Sequence, residues 1–246
     1  MKAVVSLYDF TGEALRPWAE AGYQCFAFDI QHSALGRIQT FGSGGSITYL
    51  QADLHNPSTF LVIKEILRLE KADVVFGMAF PVCTDLAVSG AAHFAKKAEA
   101  NSDFQKEAAG YAEMCAEFFE DLACPYFIEN PVSVLATLWR KPDHRFQPFE
   151  YGGYIPAEQS LHPRWPEYIA PFDAYPKKTC LWTGGGFVMP TKMPVDVPAG
   201  YSTQHNKLGG KSQRTKDIRS ATPRGFAKAV YVANATDLPH PIGASP

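Results

Sequence analysis

This chain of 246 residues predicts an α/β fold with a mainly parallel sheet, on three observations. Short β-rich apolar runs, each the length of a buried strand, recur along the first half of the chain. Segments of helical spacing separate them, which is the pattern of strand–helix–strand units. Three of the runs in succession deliver a polar residue at their carboxyl end: Asp29, Asp53 and Cys83. In open α/β sheets the loops leaving the carboxyl ends of strands are where ligands bind.

Residues 3–7 form the first predicted strand, and Tyr8-Asp9-Phe10-Thr11-Gly12 the turn after it. Residues 13–21 have helical spacing, with Gly22 as the stop. Cys25-Phe26-Ala27-Phe28 is a second strand, closed by Asp29. Strand, glycine-containing turn, helix, strand and acid make the outline of a nucleotide-binding half. Backbone N–H groups of the turn face the cofactor there, and the carboxylate accepts ribose hydroxyl hydrogens. Only Gly12 is present where such loops carry two or three glycines, and an acid after a strand is also a common turn residue. Gly42-Ser43-Gly44-Gly45 marks a surface loop. Residues 47–51 are a third strand, with Asp53 just past its end. Pro57 and Ser58 open a helix to about residue 70, carrying Phe60, Ile63, Ile66 and Leu67 at helical spacing.

Val74-Val75-Phe76 is the next strand; Gly77 and Pro81 break the run and put Cys83 on the following loop. Two readings of Cys83 stand at this point. It is a nucleophile whose pKa or target must be tuned by its neighbours, or it is a small apolar residue filling a turn. Residues 91–122 are rich in Ala, Glu and Lys and periodic, hence one long helix or two consecutive ones. Residues 125–128 form a further strand, with Glu129-Asn130-Pro131 at its end. That carboxylate comes near Cys83 if the two strands are neighbours, as a helical crossover allows.

Past Pro131 the composition changes. Residues 1–138 are expected as the catalytic, cofactor-binding unit. Residues 139–213, rich in Pro, Gly and aromatics, form a small irregular region with a few strands such as Thr179-Cys180-Leu181-Trp182. Residues 214–235 return as a C-terminal helix and 236–246 as a loose tail. Between Lys207 and Lys228 seven basic residues stand against one acid, a local excess of six positive charges on a chain whose net charge is −2. Such a segment attracts phosphates independently of sequence, or it is a solvated charged loop.

Apolar content of 46% with no run near the roughly 20 residues of a membrane span describes a globular chain that keeps out of the bilayer. The first residues read as a strand leading into Asp9, not as a signal peptide. Five scattered cysteines without a Cys-x-x-Cys pair give neither a disulfide framework nor a zinc site, so no metal is expected and a reducing cytoplasm is.

The runs Leu7-Tyr8-Asp9-Phe10-Thr11-Gly12, Asp29, Asp53, Pro81-Val82-Cys83-Thr84 and Glu129-Asn130-Pro131, in that order and spacing, resemble the cytosine-C5 DNA methyltransferases. The compact, phage-type branch is the nearest likeness. Cys83-Thr84-Asp85-Leu86-Ala87-Val88-Ser89-Gly90 fits it, as do Trp139-Arg140-Lys141-Pro142, Lys177-Lys178-Thr179-Cys180-Leu181-Trp182 and Pro223 with Gly225-Phe226-Ala227. The resemblance implies a Rossmann-like S-adenosylmethionine-dependent methyltransferase fold with a small irregular target-recognition region. It implies that Tyr8, Thr11, Gly12 and Gly77 surround S-adenosylmethionine, with Asp29 on its ribose and Asp53 on its adenine. Cys83 is then the nucleophile on C6 of a flipped-out cytosine, and Glu129 holds N3 and the amino group. Asn130, Pro131, Arg140, Lys141, Arg214 and Arg219 are expected on the base or the DNA.

Three departures from the family pattern are plain. Phe10 stands where glycine is usual, Pro81-Val82 replaces a proline pair, and no Gln-x-Arg-x-Arg motif is present. Phe10, Val82 and the short recognition region leave open a free pyrimidine nucleotide as acceptor or a sulfonium donor carrying another group, while the presence of both Cys83 and Glu129 argues against a non-catalytic relative that binds DNA or cofactor.

Overall fold

A computed structural model describes residues 1–199 and 212–235. Among them, eight strands form one mixed, mostly parallel sheet: β1 (Lys2–Leu7), β2 (Gln24–Asp29), β3 (Arg37–Thr40), β4 (Ser46–Gln51), β5 (Asp73–Ala79), β6 (Tyr126–Pro131), β7 (His144–Phe146) and β8 (Thr179–Gly184). Their spatial order is β3-β4-β2-β1-β5-β6-β8-β7. The helices are α1 (Arg16–Glu20), α2 (Ser58–Leu69), α3 (Phe94–Ala100), α4 (Phe104–Asp121), α5 (Leu135–Leu138), α6 (Gln213–Ser220) and α7 (Arg224–Asn234). The class is α/β as predicted, and the architecture is compatible with a Rossmann-like fold.

From Ala3 onward every residue of β1 is buried, which is the state of a strand with both sheet faces covered. The chain lays β2 and β4 parallel on one side of β1, then crosses to β5 and β6 on the other. That reversal is a topological switch point, where loops leaving neighbouring strands part and open a crevice. The Phe80 N–H donates to the Leu7 carbonyl at 3.0 Å, so the loops after β1 and β5 start side by side.

A separate core covers each face. Phe60, Ile63 and Leu67 of α2 and Ala112, Cys115 and Phe119 of α4 pack with Leu7, Phe28, Ile128 and Trp182. Trp18 of α1 and Phe226, Val230 and Tyr231 of α7 pack with Val4, Ala27, Phe76, Phe127 and Leu181. Phe127 and Ile128 go to opposite cores, as the two-residue strand period requires. Each large apolar side chain so buried contributes roughly 1.5–3 kcal/mol.

Several expectations change in detail. The helix predicted over residues 13–21 occupies only Arg16–Glu20, and Gly22 ends it at φ +100°. The periodic stretch 91–122 is two helices, parted where Asn101 turns extended. β3 was not predicted; it is a short edge strand whose residues are mostly exposed, so it carries no apolar period. β8 does form around Thr179–Trp182, but not in a separate irregular unit. It lies antiparallel to β6 inside the main sheet, with β7 beyond it. Leu181 and Trp182 are both fully buried, one in each core, and such a segment needs cover on two faces. Residues 200–211 of that region and the tail 236–246 lie outside the described residues.

A buried ion pair ties the irregular 148–175 segment to α7. The Arg224 guanidinium donates to Asp173 (Nη2–Oδ1 2.7 Å, Nε–Oδ1 3.0 Å) and to the carbonyls of Gln159, Ser160 and Leu161 at 2.8–3.0 Å. The Arg224 N–H adds a bond to Asp173 Oδ2 at 2.6 Å. Arg224, counted in the basic segment from sequence, is thus an internal fastener with its donors engaged.

Candidate active site

The loop after β1 is organised by Asp9, a residue whose role was not foreseen. Its carboxylate accepts from Ser6 Oγ (2.9 Å), Thr11 N (3.1 Å) and Gly12 N (2.7 Å). This is an Asx turn, and Asp-x-Thr-Gly after a strand was the signal that could have revealed it. Gly12 has φ +70°, and a Cβ there would stand 2.5 Å from the Tyr49 hydroxyl, so only glycine fits. Phe10, the departure from the family's glycine, leans on His32 with ring centroids 5.8 Å apart.

Tyr8, Asp29 and Asp53 come together beside this loop. The Tyr8 hydroxyl donates to the Leu54 carbonyl at 3.0 Å, one residue past Asp53. Burial raises the Tyr8 pKa, and Cys115, Tyr111, Asp53 and Asp29 push it further, so the phenol stays neutral. Asp29 ends β2 and accepts from Gln31 N at 2.8 Å; Asp53 accepts from His55 N at 3.1 Å. The His55 ring stacks on Tyr111 at 4.0 Å and lies 5.9 Å from the Tyr8 ring. Gly77, expected beside the cofactor, lies inside β5 instead. A Cβ there would meet the Phe119 ring at 2.3 Å, so this glycine lets α4 close on the sheet.

The Cys83 loop is held by the end of β6. Asn130 is fully buried, and its Nδ2 donates to the Pro81 carbonyl at 3.2 Å. Asn130 thus positions the Cys83 loop through its Nδ2, while its buried Oδ1 makes no hydrogen bond within the protein. The N–H groups of Leu86 and Ala87 both return to the Cys83 carbonyl (3.0 and 2.8 Å), and Val134 N donates to Leu86 O. These bonds fix the turn that presents Cys83. Cys83 is half-buried, whereas Cys25, Cys115, Cys124 and Cys180 are buried. Burial pushes the Cys83 thiol up and Glu129 adds to that rise, while Lys177 opposes it.

Glu129 lines a cleft with Phe80, Phe146, Lys177, Phe226 and the 220–223 turn. Desolvation in the cleft raises its pKa, and Lys177 again opposes. Cys83 thus lies on the loop after β5 and Glu129 near the end of its parallel neighbour β6. Lys177 was noticed only within a run, with no role; its position follows from the pairing of β8 with β6, which no local pattern encodes. Pro131 ends β6, paired with Thr179.

The residues expected on DNA are held by different partners. Arg140 is bound to Asp143 (2.7 Å) and to the Thr183 carbonyl (3.1 Å), and lies over Trp139. Thr183 pairs with Phe127, two residues before Glu129 on β6. Arg140 is thus anchored toward the opposite edge of the sheet from Glu129. Lys141 next to it is exposed. Arg214 is exposed on α6 with its guanidinium 5.5 Å from the Tyr168 ring, and Lys216 is exposed on the same helix. The Arg219 carbonyl accepts from Lys177. Lys228 sits over the Tyr231 ring at 5.0 Å, and Lys207 and Lys211 lie outside the described residues. Arg224 is thus set apart from the exposed cations Arg214 and Lys216 by its bonds to Asp173 and the 159–161 carbonyls. Comparison with protein-family models and with curated proteins gives no match to this chain.

Proposed function

We propose that the protein transfers a methyl group from S-adenosylmethionine to C5 of cytosine in DNA, with Cys83 as a covalent nucleophile. The observation that carries this reading is that Cys83, on the loop after β5, and Glu129, near the end of the adjacent parallel strand β6, belong to segments tied together by the Asn130–Pro81 hydrogen bond. The loop that carries Cys83 starts beside the loop of residues 8–12, at the switch point of the sheet.

C5 of cytosine is not nucleophilic. A Cys83 thiolate adding to C6 forms an S–C6 bond and moves the C5=C6 electron pair toward C5 and N3. Glu129 hydrogen-bonds N3 and the amino group as charge develops in the ring. S-adenosylmethionine supplies an electrophilic methyl group. Loss of the C5 proton restores the C5=C6 bond and expels Cys83. A base in duplex DNA must be flipped out first, at a cost of a few kcal/mol. The exposed cations Lys141, Arg214 and Lys216 are the groups available to hold the backbone.

The donor set suits the cofactor. Asp29 and Asp53 follow successive parallel strands β2 and β4, offering acceptors for ribose hydroxyls and the adenine amine. Replacing Asp29 by alanine is expected to weaken S-adenosylmethionine binding by roughly 1–3 kcal/mol, the scale of lost charge-assisted hydrogen bonds. Titration calorimetry giving equal affinities would remove Asp29 from the site.

Mass spectrometry of nucleosides tests the reaction itself, after incubation of the protein and S-adenosylmethionine with DNA. 5-Methylcytosine is the expected product. A free pyrimidine nucleotide as acceptor is the second reading, favoured by the burial of Arg224, which removes one cation from the proposed backbone contact. Product from the mononucleotide but not from DNA would replace the first reading with the second.

A further inference from the structure

The reactive pair has a third member on this structure. We propose that Lys177 is the counter-ion of the site, a positioning residue that stands opposite Glu129 in the cleft and links the pair to α6. The inference rests on the reading of Cys83 and Glu129 as the working groups.

The geometry begins with strand pairing. Pro131 lies opposite Thr179, so the antiparallel run of β8 beside β6 brings Lys177 to the edge where Glu129 stands. Lys177 and Glu129 line the same cleft, yet among the described residues no ion pair joins them. Lys177 Nζ instead donates to the Arg219 carbonyl at 2.8 Å. That carbonyl belongs to the last turn of α6, where helix carbonyls have no intrahelical donor and a cation is favoured. One of the three ammonium donors is used there, leaving two to face the cleft. A tethered cation opposite an acid, with the cleft between them, neutralises charge in the site without closing it.

The charged groups acting on Cys83 are Glu129 of β6, which disfavours the thiolate, and Lys177, which favours it. Lys177 is also the charged group acting on Glu129. Asp85, on the Cys83 loop, is paired with Lys97 of α3. Arg219 of α6 is not among the charges that move either group. Removing Lys177 therefore takes away the cation opposing the rise of both acids. The α6 helix that carries Arg214 and Lys216 is bonded to the same ammonium, so contact of α6 with an anionic partner reaches the thiol through one side chain.

The test is alkylation of the native protein by iodoacetamide across pH 6.5–9. Sulfur–carbon bond formation expels iodide, and the rate below the thiol pKa follows the thiolate fraction. The other four cysteines are buried, and Cys83→Ser supplies the background. Lys177→Met and Lys177→Gln are expected to slow alkylation at pH 7.5 on the order of three- to tenfold, a pKa rise of roughly half to one unit. Lys177→Arg is expected to keep the wild-type profile, and Glu129→Gln to shift it the other way. The glutamine variant can still donate to the Arg219 carbonyl, so it reports on charge if the methionine variant does not fold. Unchanged profiles in the uncharged variants would overturn the proposal, as would equal slowing in Lys177→Arg. A shifted profile in a protein that makes no modified nucleoside would keep Lys177 as counter-ion and sink the methyltransferase reading instead.

Discussion

Cys83→Ser is expected to abolish covalent capture of DNA carrying 5-fluorocytosine and to lower turnover by at least about 10³-fold. Fluorine at C5 cannot leave as a proton does, so the S–C6 adduct persists once the methyl group is on C5. Capture should accordingly require S-adenosylmethionine. A serine hydroxyl offers no comparable anion near neutral pH, and the fold has no reason to change at a half-buried loop position. Glu129→Gln is expected to slow capture by about 10²–10⁴-fold, the range for general acid catalysis, because an amide hydrogen-bonds N3 but gives up no proton. Denaturing gel electrophoresis of the protein–DNA adduct reads both. Wild-type turnover with an undiminished rate in Cys83→Ser would mean transfer to a more basic atom, such as an exocyclic amine. Cys83 would then be a turn residue.

Arg224→Met is expected to be the most destabilising change away from the site. It leaves the Asp173 carboxylate, 1% exposed, without its cation and strips donors from the three carbonyls of residues 159–161. Breaking one side of a buried pair costs about 3–5 kcal/mol, which for a chain of this size lowers Tm by roughly 10 °C. Removing the stranded charge as well, in Arg224→Met with Asp173→Asn, should recover part of the loss. Scanning calorimetry of the single and double variants decides. If Arg224 were a phosphate contact, Arg224→Met would melt like wild type and its DNA affinity would fall less steeply with salt.

The features legible in the sequence are those written in neighbouring residues. A run such as Val74-Val75-Phe76 is apolar over a strand's length, and Pro81 shows where regular structure stops, so Cys83 reads as a loop residue. Asp29, Asp53 and Glu129 follow the same rule. Asp9 was missed although its signal was local, because a turn acid was given no work of its own. Gly77 was read as a loop glycine, yet its need for no side chain comes from Phe119, 42 positions later.

The sequence by itself determined the α/β class, the succession of strands and helices, and the polar residues standing at strand ends. Periodicity and turn chemistry act over a few residues, and those properties need no more. Tertiary structure alone decided that β8 lies beside β6 and brings Lys177 to Glu129. It also decided that Arg224 is internal and Arg140 is held toward the opposite edge. Each of these depends on which distant segment supplies a partner. A lysine or arginine has the same local signature whether it meets water, a phosphate or a buried carboxylate, and only packing settles which one it meets.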